Sequence, residues 1–459
     1  MDIPKNYDPK LIEDKWYNFW MTNEYFRSVP NSQKVPYTII LPPPNCNSHA
    51  HCGHAINFTF QDVLIRYKRL QGYNCCWING LDHGGISSVQ LFNRYLKTIG
   101  RDKSELTTDQ YNTEILAWIK TKRDIIISQM QKLGLSCDWS REQFTMSPKM
   151  SICVNSVFKE LYHKGLIYRG SYMINQCVSC CTVLSNDEVD HIDNKGKLYY
   201  IKYRLSDSNN HIIIATTRPE TILGDTAIAF NPLDDRYSTS LIGKYVIVPF
   251  TNRCIPIISD NYVKPEFGTG LVKITPSHDK NDYEVAKRHN LPLIDVIDKT
   301  GKISNTQTEF DGMDRFIART EIINHLSNMG LLDRQDDYEN TIGMCYRCNN
   351  PIESIISMQW FLKTESLREK TKKIINSGQI KFTPEHHVAI LNRWMDADMD
   401  WCISRQNWGH PIPIWHCLDC KYPNCDIGTV TECSRCKSSN LDIDGDFLDT
   451  WFSSALWAF

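Results

Sequence analysis

The sequence lacks several features that would place it outside the packed globular proteins. None of its apolar runs approaches the roughly 20 residues that a helix needs to cross a bilayer, so we expect no membrane partner. The opening stretch MDIPKNYDPKLIEDKWYNFW carries acids and no apolar core, and it does not resemble a secretory signal. No repeat or low-complexity tract is visible. Charge is balanced too: 51 Lys and Arg against 53 Asp and Glu give −2, which neither supports nor excludes a nucleic-acid partner.

What is present indicates a multidomain protein of a reducing compartment. A chain of 459 residues with 41% hydrophobic and 11% aromatic residues is long enough for more than one hydrophobic core. The 18 cysteines are grouped in a way that favours metal binding over disulfides. We therefore predict a cytoplasmic location.

Four C-x-x-C pairs stand out among the cysteines. They are Cys177 with Cys180, Cys345 with Cys348, Cys417 with Cys420, and Cys433 with Cys436. A tetrahedral zinc ion accepts four thiolates, and each pair presents two from one tight turn. We predict one or two Zn²⁺ sites, the first joining two pairs that are far apart in sequence and the second joining two close pairs. Buried free thiols or a redox pair are the alternatives.

The periodicity of the first seventy residues predicts the start of an α/β domain. Apolar residues recur at helical spacing from Asp8 to Tyr25, the run Tyr37–Leu41 is typical of a buried parallel strand, and helical spacing returns over residues 53–70. Helix, strand, proline-rich loop and helix indicate a Rossmann-like, doubly wound catalytic domain. We assign residues 1–195 to its N-terminal part, with the first zinc knuckle.

A strand-rich stretch interrupts this domain. Residues 197–295 contain the segments KLYYIKYRL, HIIIATTR, KYVIVPF and GLVKIT, which are separated by Gly, Pro and Asp. We predict a β-rich domain inserted at 196–335, with its exit near residues 333–341. Residues 336–459 would return to the catalytic domain and carry further zinc knuckles.

The string His51-Cys52-Gly53-His54 lies where the second predicted helix begins. Free backbone N–H groups and the positive end of the helix dipole suit a phosphate chain, and two histidines could hydrogen-bond to a phosphorus centre under attack. Gly53 would let a ligand approach the backbone. Taken alone the string is weak, since two nearby histidines are common.

Several longer blocks resemble class I aminoacyl-tRNA synthetases. PPPN at residues 42–45 followed by H-C-G-H is similar to the nucleotide-binding signature of that family, and WINGLDHGGI at 77–86 resembles its amino-acid pocket. DWCISRQ at 400–406 and DTWFSSALW at 449–457 resemble the valine–tRNA ligase family within it. The resemblance runs from the first helix almost to Phe459.

The resemblance implies an ATP site and a valine pocket. His51, Gly53 and His54 would bind the nucleotide, with the two histidines as catalytic residues, and Mg²⁺ would accompany ATP. Pro42, Asn45, Asp82 and Trp457 would bind valine, an arrangement in which the valine ammonium meets a carboxylate and an amide oxygen. A solvated loop acid is the alternative reading of Asp82.

Two strings in the insert resemble the editing-domain signatures of this family. They are ATTRPET at 215–221 and KITPSHDKND at 273–282. The residues implied for proofreading are Thr217, Arg218, Thr221, Lys273, Thr275, Asp279 and Asp282. A pocket shaped for valine cannot strongly exclude threonine, which has nearly the same shape. A second site would therefore hydrolyse threonyl-tRNA(Val). Singly, each string could be a surface loop.

The resemblance therefore implies a valine–tRNA ligase that uses tRNA(Val). In the family a K-M-S-K-S loop and a helical anticodon-binding domain follow, and neither occurs up to Phe459, so we interpret the chain as C-terminally truncated with an incomplete Rossmann-like domain. KMS at 149–151 is interpreted as an ordinary helix start. We expect weak or absent valine activation by this chain alone. A stand-alone editing hydrolase, or an inactive or split fragment that needs a separate chain for its C-terminal half, are the alternatives.

Overall fold

The computed structural model describes residues 7–237, 240–396 and 400–458, which form two compact units. The first comprises the described residues of Met1–Ile167 and Ile403–Phe459, and the second those of Tyr168–Cys402. The predicted insert at 196–335 lies within the second unit, together with the two cysteine pairs on either side of it. The predicted domain boundaries stay predictions.

Helices dominate the first third of the chain. In chain order the α-helices of the described residues are α1 (Pro9–Thr22), α2 (Cys52–Leu70), α3 (Gly85–Thr98), α4 (Thr108–Lys132), α5 (Pro148–His163), α6 (Lys280–His289), α7 (Arg315–Asn328), α8 (Glu365–Asn376), α9 (His387–Met395) and α10 (Thr450–Ala455). The predicted helices at 8–25 and 53–70 are confirmed as α1 and α2. KMS at 149–151 lies in the first turn of α5, as predicted, behind the N-cap Ser147.

The strands of the first unit are short, whereas strands of the second unit range from very short to the longest among the described residues. They are β1 (Pro36–Ile40), β2 (Asn74–Ile78), β3 (Gly80–Leu81), β4 (Gln143–Phe144), β5 (Ile167–Cys177), β6 (Thr182–Leu184), β7 (Val189–Leu205), β8 (His211–Thr216), β9 (Ala227–Phe230), β10 (Tyr245–Ile247), β11 (Cys254–Ser259), β12 (Leu271–Ile274), β13 (Leu332–Cys345), β14 (Glu353–Leu362), β15 (Trp401–Cys402), β16 (Ser404–Arg405), β17 (Ile414–Cys417), β18 (Pro423–Cys425), β19 (Leu441–Ile443) and β20 (Phe447–Leu448).

The first unit begins with a parallel strand pair connected by a helix. β1 pairs with β2 in parallel register, from Pro36 opposite Asn74 to Ile40 opposite Ile78, and α2 joins the two strands. Parallel strands need such a crossover, so the predicted β–loop–helix order is confirmed. The core of this unit is an apolar cluster around Trp77, Phe58 and Phe92.

Helix α1 is present but does not bury the apolar face that its periodicity suggests. Leu11 is 74% exposed and Trp16 is 45% exposed, and none of the residues of α1 is buried. Its aromatic rings contact one another at their edges, as Trp16 and Phe19 do at 5.7 Å. Periodicity therefore predicted the helix correctly but not what covers it.

A seven-stranded sheet is the centre of the second unit. Its order is β12-β9-β11-β10-β7-β13, with β8 also paired to β7. All the segments predicted as strands in the insert contribute to it. Its core includes Tyr203, Phe230 and Ile257 together with Ile322 of α7, so α7 packs on this sheet.

Among the described residues, the longest strand pairing runs between β7 and β13. The two strands are antiparallel from Leu332 opposite Ile201 to Cys345 opposite Val189. The ladder therefore passes through both predicted edges of the insert. It brings Cys345 beside the segment that follows the first cysteine pair.

The last part of the chain forms small sheets. β18, β17 and β19 make a three-stranded antiparallel sheet that carries the third cysteine pair at the end of β17. Within the described ranges, no helix combines the length and the apolar character needed to cross a membrane.

Candidate functional site

His51 and His54 form a reciprocal cap at the start of α2. The backbone N–H of His54 donates to Nδ1 of His51 at 3.3 Å, and the backbone N–H of His51 donates to Nδ1 of His54 at 3.4 Å. The two rings stack with centroids 3.8 Å apart. In each neutral ring the remaining proton then lies on Nε2, because Nδ1 acts as the acceptor.

This arrangement leaves an outward-facing donor on each ring. His51 is exposed and His54 is half-buried. Burial lowers the pKa of His54, and His51 adds to the effect, so His54 is neutral near pH 7. Two Nε2–H donors beside the free N–H groups of a helix start suit the oxygens of a phosphate chain.

Gly53 keeps this cap compact. A Cβ at this position would lie 3.0 Å from Cε1 of His51 and 3.1 Å from its Nδ1, so any larger residue would push on the ring. Of the remaining residues in this region, Pro42 is exposed and Asn45 is half-buried. The backbone of Asn45 forms a parallel bridge with Asp82.

Asp82 is a buried carboxylate that accepts several hydrogen bonds. Its Oδ1 receives the backbone N–H of Gly84 at 3.1 Å and the Thr145 hydroxyl at 3.3 Å, and its Oδ2 receives the Ser454 hydroxyl at 2.5 Å. Burial acts to raise the pKa of Asp82, but the hydrogen bond and charge of His83 and the other donors lower it. The carboxylate is therefore ionised at neutral pH and suits an ammonium group.

Trp457 packs directly on the segment that carries Asp82. A Cβ on Gly80 would lie 1.7 Å from Cη2 of Trp457, and a Cβ on Gly85 would lie 1.9 Å from the hydroxyl of Thr450. Only glycine fits at either position. Together with the hydrogen bond from Ser454 to Asp82, these contacts join two blocks, residues 77–86 and 449–457, that are distant in sequence.

In the second unit, three polar side chains accept hydrogen bonds from Lys273. Its ammonium donates to the Thr221 hydroxyl at 2.7 Å, to Oδ1 of Asp225 at 3.0 Å and to the Thr275 hydroxyl. The Thr275 hydroxyl donates to Oδ1 of Asp225 at 2.6 Å, and the backbone N–H of Thr275 donates to Oδ2 of Asp282 at 2.8 Å. The two strings that the sequence analysis singled out are thus hydrogen-bonded to each other.

The two acids at the start of α6 differ in environment. Oδ1 of Asp279 accepts the backbone N–H groups of Asn281 and Asp282 as the N-cap of the helix. Asp282 is buried, and burial together with the charge of Asp279 raises its pKa to about 7. Thr217 is half-buried between β8 and the 3-10 turn Pro219–Gly224.

Arg218 is committed to a network of ion pairs. Its guanidinium contacts Glu220 at 3.0 Å and Glu353 at 2.6 Å, and it donates to the His278 carbonyl at 3.3 Å. Burial acts to raise the pKa of Glu220, but Arg218 and Arg319 lower it to about 2. This geometry gives Arg218 a bracing role between the two strings, and a direct contact of Arg218 with a ligand stays a prediction.

The first predicted zinc group is assembled by the β7–β13 ladder. Cys177, Cys180, Cys345 and Cys348 lie with their sulfurs within 4.8 Å of one another. The Cys177–Cys348 sulfur distance is 3.5 Å and the Cys180–Cys345 distance is 3.9 Å. Four thiolates around zinc at the usual bond length have sulfurs about 3.8 Å apart, so this group fits the ion.

The second group fits zinc equally well. Cys417, Cys420, Cys433 and Cys436 also bring their sulfurs within 4.8 Å. The Cys417–Cys436 sulfur distance is 3.5 Å and the Cys420–Cys433 distance is 3.6 Å. The backbone N–H of Cys420 donates to the Cys417 sulfur at 3.5 Å, the kind of outer contact that stabilises a metal-bound thiolate.

The chain is similar in sequence to proteins of a known family. The family profile of tRNA synthetases class I (I, L, M and V) matches residues 15–459. The chain belongs to this family of class I tRNA synthetases. The predicted mixed α/β synthetase fold with a β-rich part and two cysteine groups is thereby confirmed. Synthetases use ATP and Mg²⁺ together with an amino acid and a tRNA.

Three curated relatives share one name. Valine--tRNA ligases of Pseudothermotoga lettingae and Thermotoga maritima are 45% identical over 460 residues, and that of Petrotoga mobilis is 44% identical over 461 residues. The match covers all of this chain but 52–53% of those proteins, so this synthetase chain spans about half the length of the curated relatives that it matches. A solved ternary complex of Agrobacterium radiobacter K84 LeuRS with tRNA and LeuAMS matches with a TM-score of 0.48 at 19% identity, over 99% of this chain and 59% of that one.

Two residues of this class I synthetase that the sequence analysis did not identify stand close to the Lys273 group. Asp225 accepts from both Lys273 and Thr275, and its other oxygen accepts the Tyr203 hydroxyl at 2.6 Å. Asp225 follows the 3-10 turn directly, and Tyr203 is one of three tyrosines of strand β7. Neither position carries a local signal, because Asp225 contacts residues 48 and 50 positions away and Tyr203 contacts Asp225 at a separation of 22.

Proposed function

We propose that this chain carries the catalytic and proofreading parts of a valine–tRNA ligase. The proposed enzyme activates valine with ATP, transfers it to tRNA(Val), and hydrolyses threonyl-tRNA(Val). The family membership and the valine--tRNA ligase names of relatives at 44–45% identity support valine as the amino acid. We propose a cytoplasmic location, where this reaction would serve protein synthesis.

In the proposed synthetic site the first unit binds the nucleotide and valine. His51 and His54 would donate from Nε2 to the phosphate oxygens, and Gly53 would let them approach the helix start. Asp82 would bind the valine ammonium with Asn45, while Pro42 and Trp457 would wall the pocket. Bound Mg²⁺ would neutralise part of the charge of ATP.

In the proposed proofreading site the second unit binds the mischarged ester. Asp279 and Asp282 would bind the ammonium of the threonyl group. Thr217, Thr221 and Thr275 would hydrogen-bond to hydroxyls of the ester, and Lys273 would hold Thr221 and Thr275 in place, with Arg218 bracing the two strings. A β-hydroxyl distinguishes threonine from valine, and a site that hydrogen-bonds this group can discriminate strongly between them.

The observation that carries the proofreading proposal is the position of Lys273. Its ammonium is buried and joins Thr221 of one string to Thr275 of the other. An ammonium in such a place is costly unless its partners are fixed. Both strings are thus held in one arrangement, which a pair of unrelated surface loops would not need.

The experiment is deacylation of threonyl-tRNA(Val) by the 459-residue chain. We expect hydrolysis by the wild type, its loss in Lys273→Met, and its retention in Lys244→Met, which changes a half-buried lysine of the same unit outside the two strings. Valyl-tRNA(Val) should be hydrolysed much more slowly. No hydrolysis by the wild type, or equal rates for the wild type and Lys273→Met, would contradict the proposal.

The synthetic half needs a separate readout, which also tests the alternatives. Valine-dependent exchange of pyrophosphate into ATP that is lost in Asp82→Asn would support activation. Threonine release without exchange would favour a stand-alone editing hydrolase, an alternative that the presence of the whole Lys273 group in one compact unit supports. Exchange gained only on adding a separate C-terminal half would favour a split enzyme. That alternative is supported by the exposed row of Ile56, Phe60 and Val63 on α2.

A further inference from the structure

The ammonium of Lys273 uses all of its N–H donors within the protein. A lysine ammonium has three N–H donors, and Thr221, Asp225 and Thr275 each accept one. Lys273 therefore has no donor left for a ligand unless one of these bonds breaks. Its contribution is to fix the positions of its three partners.

The hydroxyl protons of Thr221 and Thr275 are also donated to acceptors within the protein. The Thr221 hydroxyl donates to the Arg218 carbonyl at 2.9 Å, and the Thr275 hydroxyl donates to Oδ1 of Asp225 at 2.6 Å. Each oxygen accepts one bond from Lys273, and a hydroxyl oxygen has two lone pairs. What each hydroxyl retains is one lone pair, so it can accept a hydrogen bond but not donate one.

Asp225 is the residue that imposes this direction on Thr275. Three donors meet its carboxylate, from Lys273, Thr275 and Tyr203, so it acts only as an acceptor. The side chain is fully buried and the Tyr203 bond prevents it from turning away. Arg253 donates to the carbonyls of Leu223 and Asp225, which holds the backbone of the same turn.

We propose that Asp225 is a positioning residue for proofreading. It holds the Thr275 hydroxyl proton in a hydrogen bond to its own carboxylate, so the Thr275 oxygen can only accept a hydrogen bond from a ligand. The site therefore favours aminoacyl groups whose β-carbon carries a hydroxyl donor. The inference rests on the proposed proofreading function. It adds a residue to that site and a physical basis for the choice of threonine. An analogue of threonine that lacks the side-chain hydroxyl has no proton to donate. The remaining lone pair of the Thr275 oxygen would then have no hydrogen-bond partner.

The test compares two esters of the same tRNA. The full chain is assayed on threonyl-tRNA(Val) and on 2-aminobutyryl-tRNA(Val), whose side chain lacks only the hydroxyl, and the ratio of the two rates is recorded. Binding of the shared tRNA cancels in this ratio. Asp225→Ala should lower the ratio about tenfold, the effect expected for the loss of one oriented hydrogen bond, while hydrolysis of the 2-aminobutyryl ester changes little.

Two further variants separate positioning from folding. Asp225→Asn keeps an acceptor for Lys273 and Thr275 and an amide that can donate to Tyr203, so it should restore most of the ratio. Asp234→Ala removes another buried acid of the same unit, which pairs with Arg236 at 2.6 Å, and should leave the ratio unchanged. Where Asp225→Ala does not fold, Tyr203→Phe takes its place, with an expected fall of about threefold.

The outcomes separate this inference from the function that it rests on. Absence of threonyl-tRNA hydrolysis in the wild type would overturn the proposed function, and the inference with it. Hydrolysis by the wild type with an unchanged ratio in Asp225→Ala or Tyr203→Phe would overturn the inference alone. An equal fall on both esters that Asp225→Asn does not restore would reduce Asp225 to a structural residue, and would also overturn it.

Discussion

The buried carboxyl of Asp282 should make the stability of the protein fall as pH rises. Its pKa is about 7 in the folded chain, against an ordinary value of 3.8, because burial and the charge of Asp279 disfavour the ionised form while Lys273 only partly offsets them. Between these two values the folded state binds one proton more than the unfolded state. Stability from this group is therefore full below about pH 4 and is lost as pH rises towards 7.

The size of the effect follows from the two pKa values. The gap between about 7 and 3.8 corresponds to about 4 kcal/mol as an upper bound, at about 1.4 kcal/mol for each factor of ten. Asp282→Asn abolishes the titration and keeps an oxygen to accept the Thr275 backbone N–H. For a unit of this size, about 4 kcal/mol corresponds to a Tm difference on the order of 10 °C.

Thermal unfolding of wild type and Asp282→Asn, measured by calorimetry between pH 5 and 8, tests this reasoning. The Tm of the variant minus that of the wild type should rise with pH and level off above 7. Asp234→Asn is the matched control: its hydrogen bond from Arg236 lowers the pKa of Asp234, so the variant should be destabilised by a constant amount over this range. A Tm difference for Asp282→Asn that does not change with pH would refute the assignment of a raised pKa.

Three further predictions concern the metal groups, the core and the valine pocket. Metal analysis should give two zinc ions per chain, and Cys420→Ser should retain one; a single ion in the wild type would contradict the prediction that both cysteine groups bind zinc. Phe230→Ala, at a fully buried position of β9, should lower the free energy of unfolding by about 4 kcal/mol in denaturant titration, and a loss below about 1 kcal/mol would mean that the core is not packed as described. Gly80→Ala should displace Trp457 and change its fluorescence, while Gly428→Ala, with open space around it, should not; equal spectra for both variants would contradict the contact.

Periodicity predicted the elements of the chain better than it predicted their surroundings. The α1 and α2 helices and strand β1 lie within a few residues of their predicted positions, because local spacing of apolar residues reflects helix and strand geometry. The exposed apolar face of α1 was not predictable in this way. Periodicity records which side of a helix is apolar, and only the arrangement of neighbouring elements decides whether that side is covered.

For the candidate sites, sequence motifs selected the residues, and the structure showed how they relate. The C-x-x-C pairs are visible in the sequence because each pair is local. The distance of 3.9 Å between the sulfur atoms of Cys180 and Cys345 depends on the antiparallel register of β7 and β13. Likewise, Lys273 and Thr221 were selected separately from two strings, and their 2.7 Å hydrogen bond is a property of the folded sheet.

The sequence by itself determined the family, the chemistry available and the local elements, since motifs and periodicity are short-range properties of the chain. Only the tertiary structure decided the direction of the hydrogen bonds and the free-energy cost of ionising buried groups. Asp225 and Tyr203 gain their importance, and Asp282 its raised pKa, from buried neighbours that are remote in sequence. Burial and contacts between residues remote in sequence set these hydrogen-bond directions and ionisation energies, and no short stretch of residues determines either one.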